Sequence, residues 1–390
     1  MLGPDAVFPH SASGRPRGGH PVTLDLRSSS PHAVRWLPPD DPVPGAPRVV
    51  LADRAARGEF AALQAALHRL GVPTVRLDAA HAAAPPAGRD GGPRGRHDSL
   101  GLTITLDGGS PDSGLLTMDG RRFRPSVVWA RGPMPREIPG APGPAGPLIS
   151  ADSWAALVGQ LAVLAPAALP GPRAGRLAQL AGAAAAGVRT PRTIVTTDPA
   201  AAAALPGDRL VVKVLDEHFV ETAPGRLVGL LPEIVDRDAL VRRPPPGFPM
   251  IVQEYVEHDL ELRVYYLAGD LRAFAVAKPA PDALWRDPAG VSVRATPVPP
   301  RAAAAVRRLA RDWGLAFGAF DLLLAAGDVV FLEVNADGDW RWFEARAGTR
   351  AVTAAAASMV RALHLNAPRA AAPPPIGGVL DFLLLGTEAM

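Results

Sequence analysis

Between residues 317 and 335 the chain reads FGAFDLLLAAGDVVFLEVN, two apolar, β-branched runs joined by a turn near Gly327. Runs of this kind form the buried strands of a hairpin, yet each holds a carboxylate, Asp321 and Glu333. A carboxylate among buried residues is tolerated only beside a cation or hydrogen-bond donors. Glu333 and Asn335 stand two apart, so on a strand they share a face, and pairing across the turn can bring Asp321 beside them. The chain must therefore bring a cation or hydrogen-bond donors to this face. Three oxygen ligands together suit Mg²⁺, which keeps water and phosphate oxygens as its other ligands. Nearby arginines satisfying an acid pair would meet the same need.

Residue bias sharpens the search for partners. Of 41 basic residues only Lys213 and Lys278 are lysine, and asparagine occurs only at Asn335 and Asn366. In such a background arginine serves wherever surface charge suffices, so a retained lysine points to a need for a compact point charge. Lys213 lies in the compact strand RLVVKV. Burying its ammonium is costly unless it meets an anion, such as a nucleotide phosphate, or reaches water at a sheet edge. Lys278 closes the run AFAVAK, either on the acyl-phosphate or acceptor side of a pocket or at a solvent-facing strand end. A third constellation is QEYVEHDLELRVY, residues 253–265. Backbone groups at Glu254, Tyr255 and Val256 can meet an adenine edge, and Glu257, Asp259 or Glu261 can accept ribose hydroxyls. Arg263, on the strand that follows, can hold a phosphate or carboxylate with two parallel N–H bonds.

Several chemistries are excluded. Without cysteine there is no disulfide, thiol nucleophile or thiolate-bound metal. The sequence has no GxxxxGK[ST] loop, no GxGxxG after a strand, no HExxH and no GxSxG. No apolar run approaches the roughly 20 residues of a membrane span, and MLGPDAVFPHSASG is not a secretory signal. A cytoplasmic protein is expected. The net charge of +3 is spread along the chain without a basic patch, so neither nucleic acid nor membrane is an expected partner.

The pattern predicts an α/β protein of several parts. Residues 1–46, rich in Pro, Gly, Ser and His, are expected to lack order. A βαβ unit follows: PRVVLAD, a helix over 55–71 and VPTVRLD. After a loop at 82–98 come the strands LGLTITL and SVVWARG, then helices starting at a Ser150 cap and ending at Gly187. A helix over 301–314 and a closing helix over 348–364 flank the acid-bearing hairpin, and LELRVYYLAGDLRAFAVAK forms another hairpin. The expected boundaries are 47–168, 169–256 and 257–366, with a Pro/Ala-rich tail at 367–390.

FLEVNADGDWRWFE resembles the C-terminal signature of the ATP-grasp peptide maturases, the graspetide synthetases related to microviridin ligases. VVWARGP, RLAQLAGAAAAGVRTPRTIVTTDP and IVQEYV with ELRV are similar to the same branch, and the order of lysine strand, hinge, ELR strand, acid and ExN is that of the superfamily. The resemblance spans roughly residues 120–365. It implies an ATP-grasp fold, two α+β subdomains clamping ATP, preceded by a pre-ATP-grasp α/β domain. It implies ATP and Mg²⁺, with Asp321, Glu333 and Asn335 as metal ligands. Lys213 is then set against the phosphates, Glu254, Tyr255, Val256 and Glu261 against the nucleoside, and Arg263, Lys278 and Arg294 in the catalytic region. The implied substrate is a ribosomal precursor peptide, leader and core, whose Asp or Glu side chain is linked to a hydroxyl or amine. A docking surface for it is expected around Trp340 and Trp342, residues that core packing would explain equally well. An amino-acid or small-peptide ligase and a non-catalytic nucleotide-binding module are the alternatives, and a homodimer is left open. Three departures stand out: Arg176 near an expected lysine, no glycine between Lys213 and Gly225, and ADGDW after ExN.

Overall fold

The computed structural model describes residues 23–25, 35–37, 45–53, 58–77, 102–106, 114–118, 120–131, 146–215, 219–223, 226–280 and 283–367. Of the first 46 residues, those described include β1 (Thr23–Asp25) and β2 (Arg35–Leu37), which pair antiparallel. The remainder of the expected disordered segment, the 82–98 loop and nearly all of the tail lie outside the described residues.

The N-terminal sheet grows from the run PRVVLAD, which forms β3 (Pro47–Asp53), buried along almost its whole length. A strand apolar on both faces belongs inside a parallel sheet. β3 indeed pairs in parallel with β4 (Thr74–Leu77), across the helix α1 (Glu59–Arg69), and with the long β7 (Arg121–Arg131). The antiparallel β5 (Leu102–Thr105) and β6 (Leu115–Met118) extend the sheet from the start of β7. After α2 (Gly146–Gln160), β8 (Ala167–Leu169) pairs in parallel with its end. Since α2 begins at Gly146, Ser150 sits inside the helix and is not its cap. α3 (Arg176–Ala185) ends as expected, with Gly187 in the left-handed region at φ 70°.

A second, smaller sheet has the order β13-β10-β14-β9. Its members are β9 (Thr193–Thr196), β10 (Arg209–Val214) carrying Lys213, β13 (Glu233–Asp236) and β14 (Met250–Glu254). The weakly patterned stretch after Lys213 forms a separate hairpin, β11 (Phe219–Ala223) with β12 (Arg226–Gly229), then β13 and the short helix α4 (Arg237–Val241).

The third sheet holds the acid-bearing hairpin. Its antiparallel order is β17-β16-β15-β18-β19, from β15 (Leu260–Leu267), β16 (Asp270–Ala277), β17 (Ser292–Thr296), β18 (Phe317–Ala325) and β19 (Asp328–Asn335). A short helix, α5 (Ala283–Arg286), precedes β17, and α6 (Pro300–Asp312) follows it. Both hairpins turn tightly, through Ala268-Gly269 and Ala326-Gly327, all four residues at positive φ. On one face Leu262, Val264, Phe320, Leu322 and Phe331 pack against Val306 and Leu309 of α6 and Leu180 of α3. On the other face Tyr265, Phe274 and Phe317 join a core shared with Phe60 of α1, Trp129 of β7 and α8 (Ala351–Asn366), which follows α7 (Arg341–Ala347). This shared core seats the third sheet against the N-terminal one and leaves the remainder of that face polar.

Candidate active site

The polar part of the third sheet's inner face is built from adjacent strands in register. Arg263 of β15 stands opposite Asp321 of β18, and Asp321 opposite Glu333 of β19. The Arg263 Nη1 donates to Asp321 Oδ2 at 2.6 Å, and the Asn335 Nδ2 donates to the same oxygen at 3.1 Å and to Glu333 Oε1 at 3.4 Å. The three expected metal ligands therefore lie together, with Asn335 bridging the two carboxylates. Arg176, at the first turn of α3, donates Nε to Glu333 Oε2 at 2.9 Å and Nη1 to the Val214 carbonyl at 3.2 Å, so it ties the second sheet to the third. Across the gap Lys213 brings its buried ammonium to 3.9 Å from Glu333 Oε2. At the rim, Lys278 Nζ donates to Glu261 Oε1 at 2.8 Å.

Four cations thus meet three carboxylates: Arg176, Lys213, Arg263 and Lys278 against Glu261, Asp321 and Glu333. Their electrostatics are unbalanced. Burial pushes the Asp321 carboxyl up, Arg263 pulls it down and Glu333 pushes it up again, leaving it above its ordinary range. Burial pulls the Lys213 ammonium down, Glu333 raises it and Arg176 lowers it, with a net depression. Burial works against the Arg263 guanidinium, but the facing Asp321 carboxylate outweighs it and holds that guanidinium firmly charged.

This donor set fits Mg²⁺, since two carboxylates and a carboxamide on one face offer hard oxygens and the acid pair carries charge that a divalent cation would relieve. Among the described residues no three His, Cys, Asp or Glu side chains gather as a metal site; beside this acid pair stands the Asn335 carboxamide. It would present Oδ1 after a half-turn of the amide. The arginine pairing weighed as the alternative is present as well, through Arg263 and Arg176.

The fold has close counterparts among solved structures. The ATP-grasp ligase PsnB, complexed with a phosphomimetic variant of a minimal precursor, Mg and ADP, superposes with a TM-score of 0.60 at 18% identity over 82% of this chain and 99% of that one. The macrocyclase MdnC of Microcystis aeruginosa MRC, bound with precursor peptide MdnA, gives 0.61 at 19% identity over 80% and 99%. A RiPP-associated ATP-grasp ligase of Chryseobacterium gregarium, in complex with ADP and a leader and core peptide, gives 0.57 at 18% over 83% and 98%. The chain has the ATP-grasp fold. No protein-family model and no curated protein matches the sequence.

Within this ATP-grasp fold the expected hinge follows β14. The Glu254 carboxylate accepts from the Arg192 backbone N–H at 3.0 Å, the Tyr255 N–H donates to the Arg209 carbonyl at 3.1 Å, and the His258 ring contacts the Val256 carbonyl at 2.9 Å. The Arg209 guanidinium lies 4.2 Å from the centre of the Tyr255 ring. These contacts fix the hinge to the second sheet.

Two expectations fail. Arg294 pairs in register with Ala275, whose side chain faces the α6 core, so Arg294 is on the opposite face from Arg263 and is exposed. Strand alternation dictates this, because Phe274, opposite Arg263, pairs with Ala295. Trp340 is fully buried between Phe60, Trp129 and Phe317 and donates Nε1 to Thr353 Oγ1, so it is core and not a docking surface, while Trp342 is only partly buried. Two residues outside the expected site support it. Gln179 of α3 exchanges two hydrogen bonds with the Val334 backbone, at 2.9 and 3.1 Å, between Glu333 and Asn335. Arg131, which closes the apolar run Val127–Ala130 at the end of β7, reaches the loop after Asn335 through Asp337 and Asp339. A charge closing such a strand was the available signal for Arg131, whereas nothing local marks Gln179.

Proposed function

We propose that the chain is an ATP- and Mg²⁺-dependent ligase. It phosphorylates Asp or Glu side chains of a ribosomal precursor peptide and joins them to a hydroxyl or amine as ester or amide macrocyclic links. The observation that carries this reading is the convergence of Asp321, Glu333 and Asn335 with Arg176, Lys213 and Arg263 between two sheets of an ATP-grasp fold. Its counterparts PsnB and MdnC were solved with precursor peptides, which supports the substrate class. Residues 47–168 serve as the pre-ATP-grasp part, and 169–256 and 257–366 as the two halves of the clamp.

A free carboxylate does not form an ester or amide at useful rates in water, so it must be activated. A carboxylate oxygen of the peptide attacks the γ-phosphorus of ATP, ADP leaves, and an acyl phosphate forms. The hydroxyl or amine then attacks the acyl carbon and phosphate departs with the activated oxygen. The first step needs alignment and neutralised charge more than covalent help. Lys213, Arg176 and Arg263 line the gap with that charge, and a facing phosphate would counter the depression that burial imposes on Lys213. Mg²⁺ held by Asp321, Glu333 and Asn335 would supply further neutralisation at the phosphate oxygens. Glu254, Tyr255 and Val256 line the adenine side, Glu261 faces the nucleotide, and Lys278, paired to it, borders the acyl phosphate. Closing the two sheets shields the acyl phosphate from water.

The test is to incubate the protein with ATP, Mg²⁺ and the precursor peptide encoded beside its gene. Each bond should remove about 18 Da from the peptide and release one ADP, in keeping with acyl-phosphate chemistry. A mass gain from an added amino acid would favour a small-substrate ligase, and nucleotide binding without ADP release a binding module.

A further inference from the structure

The loop Ala336–Trp340 links the site strand β19 to α7, and it is held from both sides. The Arg131 Nη2 donates to the Asp337 carbonyl at 2.8 Å and to Asp339 Oδ1 at 2.5 Å. Arg173 Nη2 donates to Asp337 Oδ1 at 2.6 Å and to the Ala130 carbonyl at 2.9 Å. The Tyr265 hydroxyl donates to the Asp339 carbonyl, and Trp340 is locked in the core. Gly338 lies between these clamped residues and closes a turn by donating its N–H to the Asn335 carbonyl at 3.1 Å. Its backbone φ is unexceptional, so conformational freedom does not explain the glycine. Space does. A Cβ at 338 would overlap the Ala319 Cβ and stand 3.1 Å from both Arg263 Nη2 and the Asn335 carbonyl oxygen. Ala319 belongs to β18, directly opposite Asn335, and cannot retreat from the sheet.

Arg263 depends on this contact. Only its Nη1 donates to Asp321, and its buried Nε has no hydrogen-bond partner among the described residues. The guanidinium is held by the Tyr265 side chain, which also hydrogen-bonds to it, by the Phe343 ring at 5.4 Å and by the bare backbone of Gly338.

We infer that Gly338 is a positioning residue for the proposed reaction, acting through Arg263 and Asn335, with Arg131 and Arg173 clamping its turn from the N-terminal side. The inference rests on the ligase reading for its kinetic consequence but not for its geometry. A methyl at 338 cannot be relieved by moving the turn outward, because residues 337 and 339 are both pinned. The strain must pass to Arg263 and Asn335.

The experiment is a methyl swap. Gly338→Ala should lengthen the Arg263–Asp321 contact beyond hydrogen-bond range in a crystal structure. At a temperature where the variant is fully folded by thermal melting, it should lower kcat about 100-fold with a much smaller change in KM for ATP, since ångström-scale misplacement costs this much. The double variant Ala319→Gly/Gly338→Ala moves the same methyl across the interface, and should restore the contact and recover kcat to within about tenfold of the parent. An Arg263–Asp321 contact unchanged in Gly338→Ala would overturn the inference, as would a kcat equal to the parent's or a double variant no better than the single one. If the parent protein makes no ADP with its peptide, the ligase reading fails, and the crystallographic arm still decides whether Gly338 positions Arg263.

Discussion

Two buried clusters in this molecule use the same ingredients to different ends. One centres on Arg131, which donates to Glu59 at 2.9 Å, approaches Asp53 at 4.0 Å, binds Asp339 at 2.5 Å and lies against the Phe60 and Trp340 rings. The other centres on Asp321 and Glu333 with Arg263, Arg176 and Lys213. In the first, burial opposes charge on both partners and the pairing overcomes it: Glu59 is held below its ordinary value and Arg131 above its own. In the second, burial prevails at Asp321, which is raised, and at Lys213, which is lowered. The first cluster favours the charged forms of Glu59 and Arg131 and joins the N-terminal sheet to the loop after Asn335. The second disfavours the charged forms of Asp321 and Lys213 while holding Arg263 charged, as expected where a ligand is to finish the balance.

If that distinction is right, damage to the site should cost turnover and damage to the Arg131 cluster should cost stability. The largest effect is expected from Glu333→Ala: peptide-dependent ADP release should fall about 1000-fold or more, since a ligand and a charge partner of the phosphate region go together. Circular dichroism and cooperative unfolding should be retained, and substantial residual turnover would remove Glu333 from the proposed site. Arg131→Met should lower the unfolding free energy by about 3–5 kcal/mol, because Glu59 and Asp53 would be left buried without their cation. Denaturant titration measures this, and a loss below about 1 kcal/mol would mean the cluster is not the structural pin described.

Lys213→Arg should reduce kcat/KM for ATP about 10- to 100-fold, as a larger planar cation misplaces the phosphates. Parental kinetics in that variant would make Lys213 a structural charge. The smallest effect concerns acid. Glu59 has a folded pKa below its ordinary 4.5, so its stabilising contribution is complete above about pH 4.5 and is lost as pH falls below that value through the folded pKa. Glu59→Gln should therefore flatten the dependence of stability on pH below 4.5, and a slope equal to the parent's would contradict the assignment.

Local pattern was enough to read much of the fold. The βαβ unit at β3-α1-β4, the hairpins turning at Ala268-Gly269 and Ala326-Gly327, and the helices ending at Gly187 and Gly314 all rest on short-range periodicity and turn chemistry. The stretch after Lys213 was not legible, because β11 and β12 pair only with each other and their short sequences FVETA and RLVG carry no sustained apolar alternation. Arg294 was misread because its face depends on a register set through four strands.

The acid site itself shows where sequence stops. Composition and spacing marked Asp321 and Glu333 as acids needing a cation or hydrogen-bond donors, set Asn335 on the face of Glu333, and singled out Lys213 as a retained lysine. They did not determine that the three meet. From its turn the hairpin pairs Ala325 with Asp328 and Leu322 with Phe331, and unbroken pairing would set Asp321 opposite Leu332 and Glu333 opposite Phe320, on the α6 core face. One extra residue, a bulge at Leu332, shifts the register so that Asp321 faces Glu333. Strand side chains alternate with a period of two, so a slip of one residue exchanges the faces entirely. The shifted stretch is held by Gln179, whose side chain takes both backbone groups of Val334, and by the Phe331 N–H donating to the Arg189 carbonyl. Those partners lie over a hundred residues away along the chain. Which face the acids occupy is therefore decided by packing against α3, and no reading of the hairpin alone contains it.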